Sequence, residues 1–355
     1  MAIYPDSSQL SDFLLDTLPV YIKRKWQDLS QTRQETVYSS RVVPKFGVSG
    51  GTKLVWNVQT SHQNSFTDRG MGHVETAQPE NMMDQAEIPW ASSSVGRAWN
   101  EELFDFNSGE AQIVDEMTTS IHGMWEDLIN GEETRLWTAP TSSTENPRRP
   151  YGIPLWLQKA STNAAFGFNG GDPSGFTSLA GIPTTVAGWK NGNFGYAAVS
   201  QSDCLPKLSE AIAKSYFKPP RAYPAIDDSK PQYVIYSTYP FVEAMQNLQT
   251  ASNDNLGTDV GKYRGTVMYR GIPISWVPCL TNSGDAAVDT QHPIYGIDWS
   301  KLKCFYKTGW DWAEQPLQTP PDQPTVRKLW LICWRNYRMI DRRSCFVGHT
   351  TTFAQ

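Results

Sequence analysis

NSGEAQIVDEMTTSIHGMWEDLIN, residues 107–130, is the stretch whose reading decides the fold. Its apolar residues, Ile113, Val114, Met117, Ile121, Met124, Trp125, Leu128 and Ile129, recur at the three-and-four spacing of one buried helical stripe. Asp115, Glu116, Glu126 and Asp127 fall on the opposite arc of the same wheel. Asn107 with Glu110 three residues later reads as a capping pair, and carboxylates suit the positive end of the helix dipole. Asn130-Gly131 reads as the stop, because glycine accepts the left-handed conformation that ends helices. Such a helix is about 35 Å long, enough to cross a domain as its spine.

Around it, residues 101–137 are strongly acidic. Glu101, Glu102, Asp105, Glu110, Asp115, Glu116, Glu126, Asp127, Glu132 and Glu133 stand against Arg135 alone. One helix face is therefore expected to be an anionic strip: an ordinary solvated face, or a surface that stays unattached to nearby nucleic acid.

Upstream, Thr36 to Trp99 reads as a long two-stranded excursion. Leu54-Val55-Trp56-Asn57-Val58 alternates as a strand does after the Gly50-Gly51 bend, and strand character returns around Ile88, Pro89 and Trp90. The residues between are polar, with Asn64, Asp68, Gly70, Gly72 and Pro79. A lone ribbon is marginal in water, so the excursion is expected to lie on a neighbouring chain. Residues 1–35 carry a broken apolar stripe, Leu10, Phe13, Leu14, Leu18, Ile22 and Trp26, interrupted at Pro19; Lys23-Arg24-Lys25 reads as solvated surface.

Downstream, a polar linker (Thr138 to Pro150) leads to a strand-like Tyr151-to-Leu157 and a glycine-rich loop from Phe166 to Asn193. Helices are expected over Gln201–Phe217, capped by Ser202 or Asp203, and over Pro240–Leu248. Strands are expected at Tyr233–Tyr236, Thr266–Pro278, Ile294–Trp299 and Leu302–Trp312. From Val326 to Phe346 runs a long strand or strand pair, with Leu329, Leu331 and Cys333 on one side and Trp330, Ile332 and Trp334 on the other. Apolar on both faces, it belongs at the centre of a sheet. It ends basic, with Arg335, Arg338, Arg342 and Arg343.

The 355 residues carry a net charge of -5, 14 tryptophans and five cysteines. That length permits two or three subdomains, and so much indole points to large buried contacts or interfaces more than to a sugar-stacking surface. An odd cysteine count without a C-x-x-C pair indicates reduced thiols. Nothing reaches the length of a membrane-spanning helix, and Met1 to Asp6 lacks the order of a signal peptide, so an intracellular product is expected. Gly47 to Lys53 fails as a phosphate loop, because Thr52 and Leu54 stand where glycine and Ser or Thr are needed. His62, His73, His122, His292 and His349 show no ligand spacing, His122 reads as a packing histidine, and Ser200 and Ser202 lack a nucleophile elbow. No catalytic residue, cofactor or metal is expected.

The order of parts, and the flavour of Gly50-Gly51-Thr52-Lys53-Leu54-Val55-Trp56, Ile88-Pro89-Trp90, the helix from Asn107, Tyr269-Arg270-Gly271-Ile272-Pro273-Ile274 before Val277-Pro278, and the late Arg327-to-Arg343 strand, carry a resemblance. The chain resembles the major capsid proteins of tailed bacteriophages, the Hong Kong phage capsid fold. That resemblance implies an α+β fold with an N-terminal arm (1–35), an extended loop (36–99), a peripheral domain with the spine helix (100–221), an axial domain (222–324) and a peripheral return strand (325–355). It implies a shell subunit of the virion, made and assembled in the host bacterial cytoplasm, forming pentamers and hexamers around double-stranded DNA held without sequence-specific contact. Its partners would be itself, a separate scaffolding protein, a portal and a decoration protein, with no membrane. Each extended loop would lie across the adjacent subunit, with Trp56, Asn64, Phe66, Arg69 and Trp90 as contacts. Some relatives fuse a scaffolding segment ahead of the arm; nothing coiled-coil-like precedes residue 10 here. Some cross-link from an extended-loop lysine, but no lysine lies between Leu54 and Gly96, so a shell without that bond is expected. An encapsulin-type nanocompartment of the same fold, and a tryptophan-rich carbohydrate-binding or glycoside-hydrolysing protein, are the alternatives.

Overall fold

The computed structural model describes residues 46–60, 68, 70–71, 82–101, 116–159, 165–216, 232–251, 267–280 and 291–350. The chain runs β1 (Phe46–Val48), β2 (Lys53–Gln59), β3 (Met83–Pro89) and β4 (Ala91–Asn100), then the helix α1 (Glu116–Leu136) and a single turn, α2 (Ile153–Trp156). β5 (Gly192–Gly195) leads to α3 (Cys204–Ser215), and β6 (Tyr233–Ser237) to α4 (Tyr239–Ala251). β7 (Val267–Tyr269), β8 (Ile272–Trp276), β9 (Ile294–Asp298), β10 (Leu302–Lys307), β11 (Ala313–Glu314), β12 (Val326–Met339) and β13 (Phe346–His349) complete it.

β12 organises the first sheet. Its first ten residues pair antiparallel with β4, from Val326↔Asn100 to Arg335↔Ala91. Its other edge takes β11 at Leu331 and Ile332, then β10 from Arg335 to Met339, with β1 beyond β10. The central position expected from its two apolar faces is therefore observed. Only one of its faces is covered along its first half, however. Leu329, Leu331 and Cys333 are buried, while Trp330 and Trp334 are each 37% exposed. β4 explains the bareness: Gly96 and Ser92 lie opposite Trp330 and Trp334, and small residues build no layer above the sheet. A side chain at Gly96 would collide with the Trp330 ring, so the indole lies over the glycine and fills its space.

On the covered face Met124 and Leu128 of α1 pack against Leu329 and Leu331. The helix does not stop at Asn130-Gly131 as its sequence suggested. It runs on to Leu136, and the Thr134 and Thr138 hydroxyls donate to carbonyls four residues back. A helical glycine costs about 1 kcal/mol relative to alanine, and the docking of the following turn offsets that. The stripe on this face is Met124, Leu128, Glu132 and Leu136 at four-residue spacing, while Trp125 and His122 point to solvent. Two of the acids expected on the anionic strip thus lie inside. Glu132 forms an ion pair with Arg335 of β12, both buried. Glu133 accepts the indole N–H of Trp137 at 2.7 Å. Asp127 pairs with Arg97 of β4, so the outer arc is partly neutralised as well. The first half of the expected stripe and the Asn107–Glu110 cap lie outside the described residues.

The second sheet has six strands in the order β5-β13-β9-β6-β8-β7. Both faces are covered. α3 and α4 lay Leu208, Ile212, Phe241 and Met245 against Phe194, Ile235, Ile274 and Phe346. The opposite face puts Val234, Tyr236, Tyr295 and Val347 into the main core with Trp137, Trp156 and Trp299. The β7–β8 hairpin turns through Arg270 (φ 51°) and Gly271 (φ 77°), two left-handed residues that suit the twist of a tight hairpin. Tyr151 to Leu157, expected as a strand, instead contains α2, with Pro154 in its first turn, where its missing N–H costs nothing. Among the described residues no helix is long and apolar enough to cross a membrane.

The Arg335–Glu132 pair makes a direct test. Arg335→Met alone leaves a buried carboxylate without its partner and is expected to cost about 3–5 kcal/mol in urea unfolding. Arg335→Met with Glu132→Leu is expected to recover most of that loss; a double variant no more stable than the single one would show that the pair does not hold the helix to the sheet.

Candidate assembly surface

β2 and β3 form an antiparallel ribbon, Lys53↔Pro89 to Gln59↔Met83. Gly50 and Gly51 both adopt positive φ (78° and 82°) to bring the chain into it, and Trp90 donates its indole N–H to the Gly51 carbonyl at 3.1 Å. Strand alternation sends Leu54, Trp56, Ala86 and Ile88 to one face, and all four are buried. They pack on their own chain, against Trp156, Leu179, Ala180 and Ile182, and the Glu87 amide donates to the Ala180 carbonyl at 2.9 Å. The base of the ribbon is thus held from within, contrary to the expectation that the whole excursion needs another chain. The glycine-rich stretch from Phe166 to Asn193, which has no periodicity, supplies that seat.

Trp56 is spent inside the chain, its ring 6.5 Å from that of Trp156 and 5.6 Å from the Arg338 guanidinium. Trp90 is likewise buried. Asn64, Phe66 and Arg69, the remaining implied contacts, lie outside the described residues. The outward face of the ribbon offers Val55 and Met83 instead, both exposed; Met82, just before β3, and Met71 are exposed as well.

The other exposed apolar surface is the bare face of the first sheet. Trp330 and Trp334 stand on β12, and Trp310 is exposed on the loop before β11, its carbonyl accepting the Trp334 amide at 3.0 Å. A further exposed pair, Tyr239 and Trp276, meets edge to face at 5.6 Å on the second sheet. Sequence reading found the tryptophans but not their exposure; the serines and glycine of β4 were the available signal.

The basic end of β12 and its sequel is not a patch. Arg335 lies 5.3 Å from the Trp312 ring, Arg338 4.4 Å from Phe305 and Arg343 4.3 Å from Phe168. Arg342 is wholly buried and donates to the carbonyls of Trp156 (2.8 Å) and Trp189 (2.9 Å) and to Asn191 Oδ1 (3.0 Å). Burial pushes its pKa down to about 10, partly opposed by Asp172, so it stays charged at neutral pH and clamps three loops. Guanidinium planes stack on aromatic rings and fork between carbonyls, and these four do one or both.

Among the described residues no group of three or more His, Cys, Asp and Glu side chains converges on a point where a metal ion could sit. All five cysteines are free and buried. Burial pushes the thiols of Cys204 and Cys345 up to about 12.

No family model and no curated protein matches the sequence. Solved structures do match, over nearly the whole chain. One is the capsid asymmetric unit of cyanophage A-1(L), at 13% identity and a TM-score of 0.65, with 93% of this chain and 97% of the other covered. The capsid of a native GTA particle follows, at 12% identity and a TM-score of 0.58, covering 99% and 100%. The capsid of the Myoviridae phage XM1 matches at 8% identity and 0.57, covering 93% and 96%. The chain has the phage major capsid fold.

The raised thiols make stability depend on alkaline pH, as do the tyrosines Tyr216 and Tyr233, whose phenols burial also pushes up. An unfolded thiol ionises near 9 and these native ones near 12, so above pH 9 the unfolded state has shed protons the native state keeps. Stability is expected to fall as pH rises from about 9 towards 12. Urea midpoints at pH 8 and 10 measure this; Cys345→Ala should flatten the fall, and a midpoint that rises with pH would contradict it.

Proposed function

We propose that this chain is the structural subunit of a tailed-phage head, assembling through pentamers and hexamers into an icosahedral shell around double-stranded DNA. The observation that carries the reading is the match over 93% of this chain and 97% of a chain from a cyanophage capsid. The other matched structures also come from capsids. On this reading α1 and β12 belong to the peripheral domain (100–221 and 325–355) and β6 to β9 to the axial domain (222–324), while the sheets cross those bounds: β10 and β11 pair into the first sheet, and β5 and β13 into the second. The extended loop is the stretch 36–99, with Asn64, Phe66 and Arg69 as its contacts with a neighbour.

The exposed apolar surface supports a subunit over a freestanding monomer. Trp330 and Trp334 on one sheet and Trp276 on the other are large, rigid side chains of the kind that anchor interfaces, repeated over many identical contacts in a closed assembly. The subunit is a structural protein, its partners being other copies of itself and, in the virion, portal, scaffolding and decoration proteins. DNA would be enclosed without sequence-specific contact, and the pairing of Arg338 near the end of β12, and of Arg342 and Arg343 after it, with rings and carbonyls agrees with that.

The test separates folding from assembly. Deleting Asn64–Gly72 from the tip is expected to leave the urea midpoint within about 0.5 kcal/mol of the parent, because the ribbon base is held by its own chain. Assembly into particles, counted by electron microscopy, is expected to fall at least about tenfold, the equivalent of about 1.4 kcal/mol at the contact. Undiminished assembly would remove the tip from the interface. Nuclease-protected DNA inside particles recovered from infected cells supports the phage reading, and particles holding enzyme cargo and no genome would replace it with an encapsulin.

A further inference from the structure

Among the described residues β4 pairs with β12 alone, so one edge of this ten-residue strand has no neighbouring strand. The other strands at the ends of the two sheets, β1, β5, β7 and β11, are only two to four residues long. A long free edge is a row of unpaired amides and carbonyls, and proteins usually blunt it with proline, lysine or a bulge. β4 has none of these. Its residues from Ala91 to Asn100 include neither proline nor lysine, and they pair one for one with β12 without a bulge. The single charge, Arg97, is held by Asp127 of α1. The edge is open to another strand.

The side chains of β4 select which strand fits. Set a second β4 antiparallel beside the first, about a twofold axis through Gly96. Val95 then faces Arg97, Ser94 faces Ala98, Ser93 faces Trp99 and Ser92 faces Asn100. No like charges meet, whereas an axis through Arg97 would oppose two guanidiniums. The bare face of this seam carries only serine, glycine, alanine and asparagine, so nothing on it holds the strands apart.

Gly96 is also the place where Trp330 lies, its ring 2.4 Å from where an added Cβ would stand. Paired strands run about 4.8 Å apart, so two such rings, one over each Gly96, come into aromatic contact across the axis. We propose that β4 is the docking edge for β4 of a second copy, the two strands joining antiparallel about Gly96 into one continuous sheet whose bare face carries both Trp330 rings. The backbone groups of the edge are then paired, and one surface serves both partners, as a twofold contact requires. The proposal takes from the function above only that the chain associates with copies of itself.

Cross-linking tests it on particles of the full chain. Ser94 and Ala98 are both exposed and lie opposite each other across the axis, whereas each is about 13 Å along the strand from its own counterpart. Particles assembled from equal amounts of Ser94→Cys and Ala98→Cys chains are expected to give the mixed dimer with a short bis-maleimide. Particles of either variant alone are expected to lose that dimer. A mixed dimer no more frequent than the like-with-like ones overturns the pairing, while the particles themselves leave the shell reading standing. A parent chain that forms no particles removes the shell reading instead, and the same cross-link in solution then decides for or against a β4 dimer. Independently, hydrogen exchange in the parent protein is expected to slow at least about tenfold on association, at alternate amides between Ser92 and Ala98. Unchanged exchange there would also overturn the proposal.

Discussion

The ladder between β12 and β4 brings residues 91–100 against 326–335, and at its end Arg335 meets Glu132 with both side chains out of water. Three separate parts of the sequence converge there: the strand leaving the ribbon, the second half of the spine helix and the return strand. A buried pair of this kind adds little net stability over a well-packed apolar pair, but either partner alone would be costly. The charges therefore fix one register of α1 on the sheet. The direction of β4 fixes in turn where the ribbon departs, because Trp90 is the single residue between β3 and β4.

Arginine and aromatic side chains account for much of the rest. Arg338 lies between Trp56 of the ribbon and Phe305 of β10, joining ribbon to sheet. Arg342 gathers the carbonyls of Trp156 and Trp189 and the side chain of Asn191 under the glycine-rich loop. Trp156 touches Trp56, Tyr151 and Trp189, so one indole sits where ribbon, linker and loop meet. The tryptophan-rich composition is spent first on this internal junction. Other tryptophans stay exposed: Trp310, Trp330 and Trp334 about the bare face of the first sheet, Trp276 beside the start of α4, and Trp125 on the outer arc of α1.

The parts legible in the sequence were those with a period. The ribbon strands alternate, α3 and α4 show a stripe, and the long run after Val326 reads as central from its two apolar faces. The failures have physical causes. Glu132 and Glu133 were read as solvated because a carboxylate usually is, and the arginine that holds Glu132 lies some two hundred positions away. Gly131 was read as a stop because local propensity favours one, and tertiary packing overrode it. Leu179, Ile182 and Trp189 bury their side chains from turns and single bridges, where burial leaves no repeat to detect. Trp56 and Trp90 are expected outward when the excursion is treated as one unit, whereas its base packs on its own chain.

A chain with this fold that works as a shell subunit should not remain alone at working concentration. Sedimentation velocity on the purified full-length protein, followed by electron microscopy of the fastest fraction, measures that directly. Closed particles of uniform diameter built from many copies of the 39.9 kDa chain are the predicted result. A single sharp boundary at the mass of one chain, unchanged across a hundredfold range of concentration and salt, would contradict it.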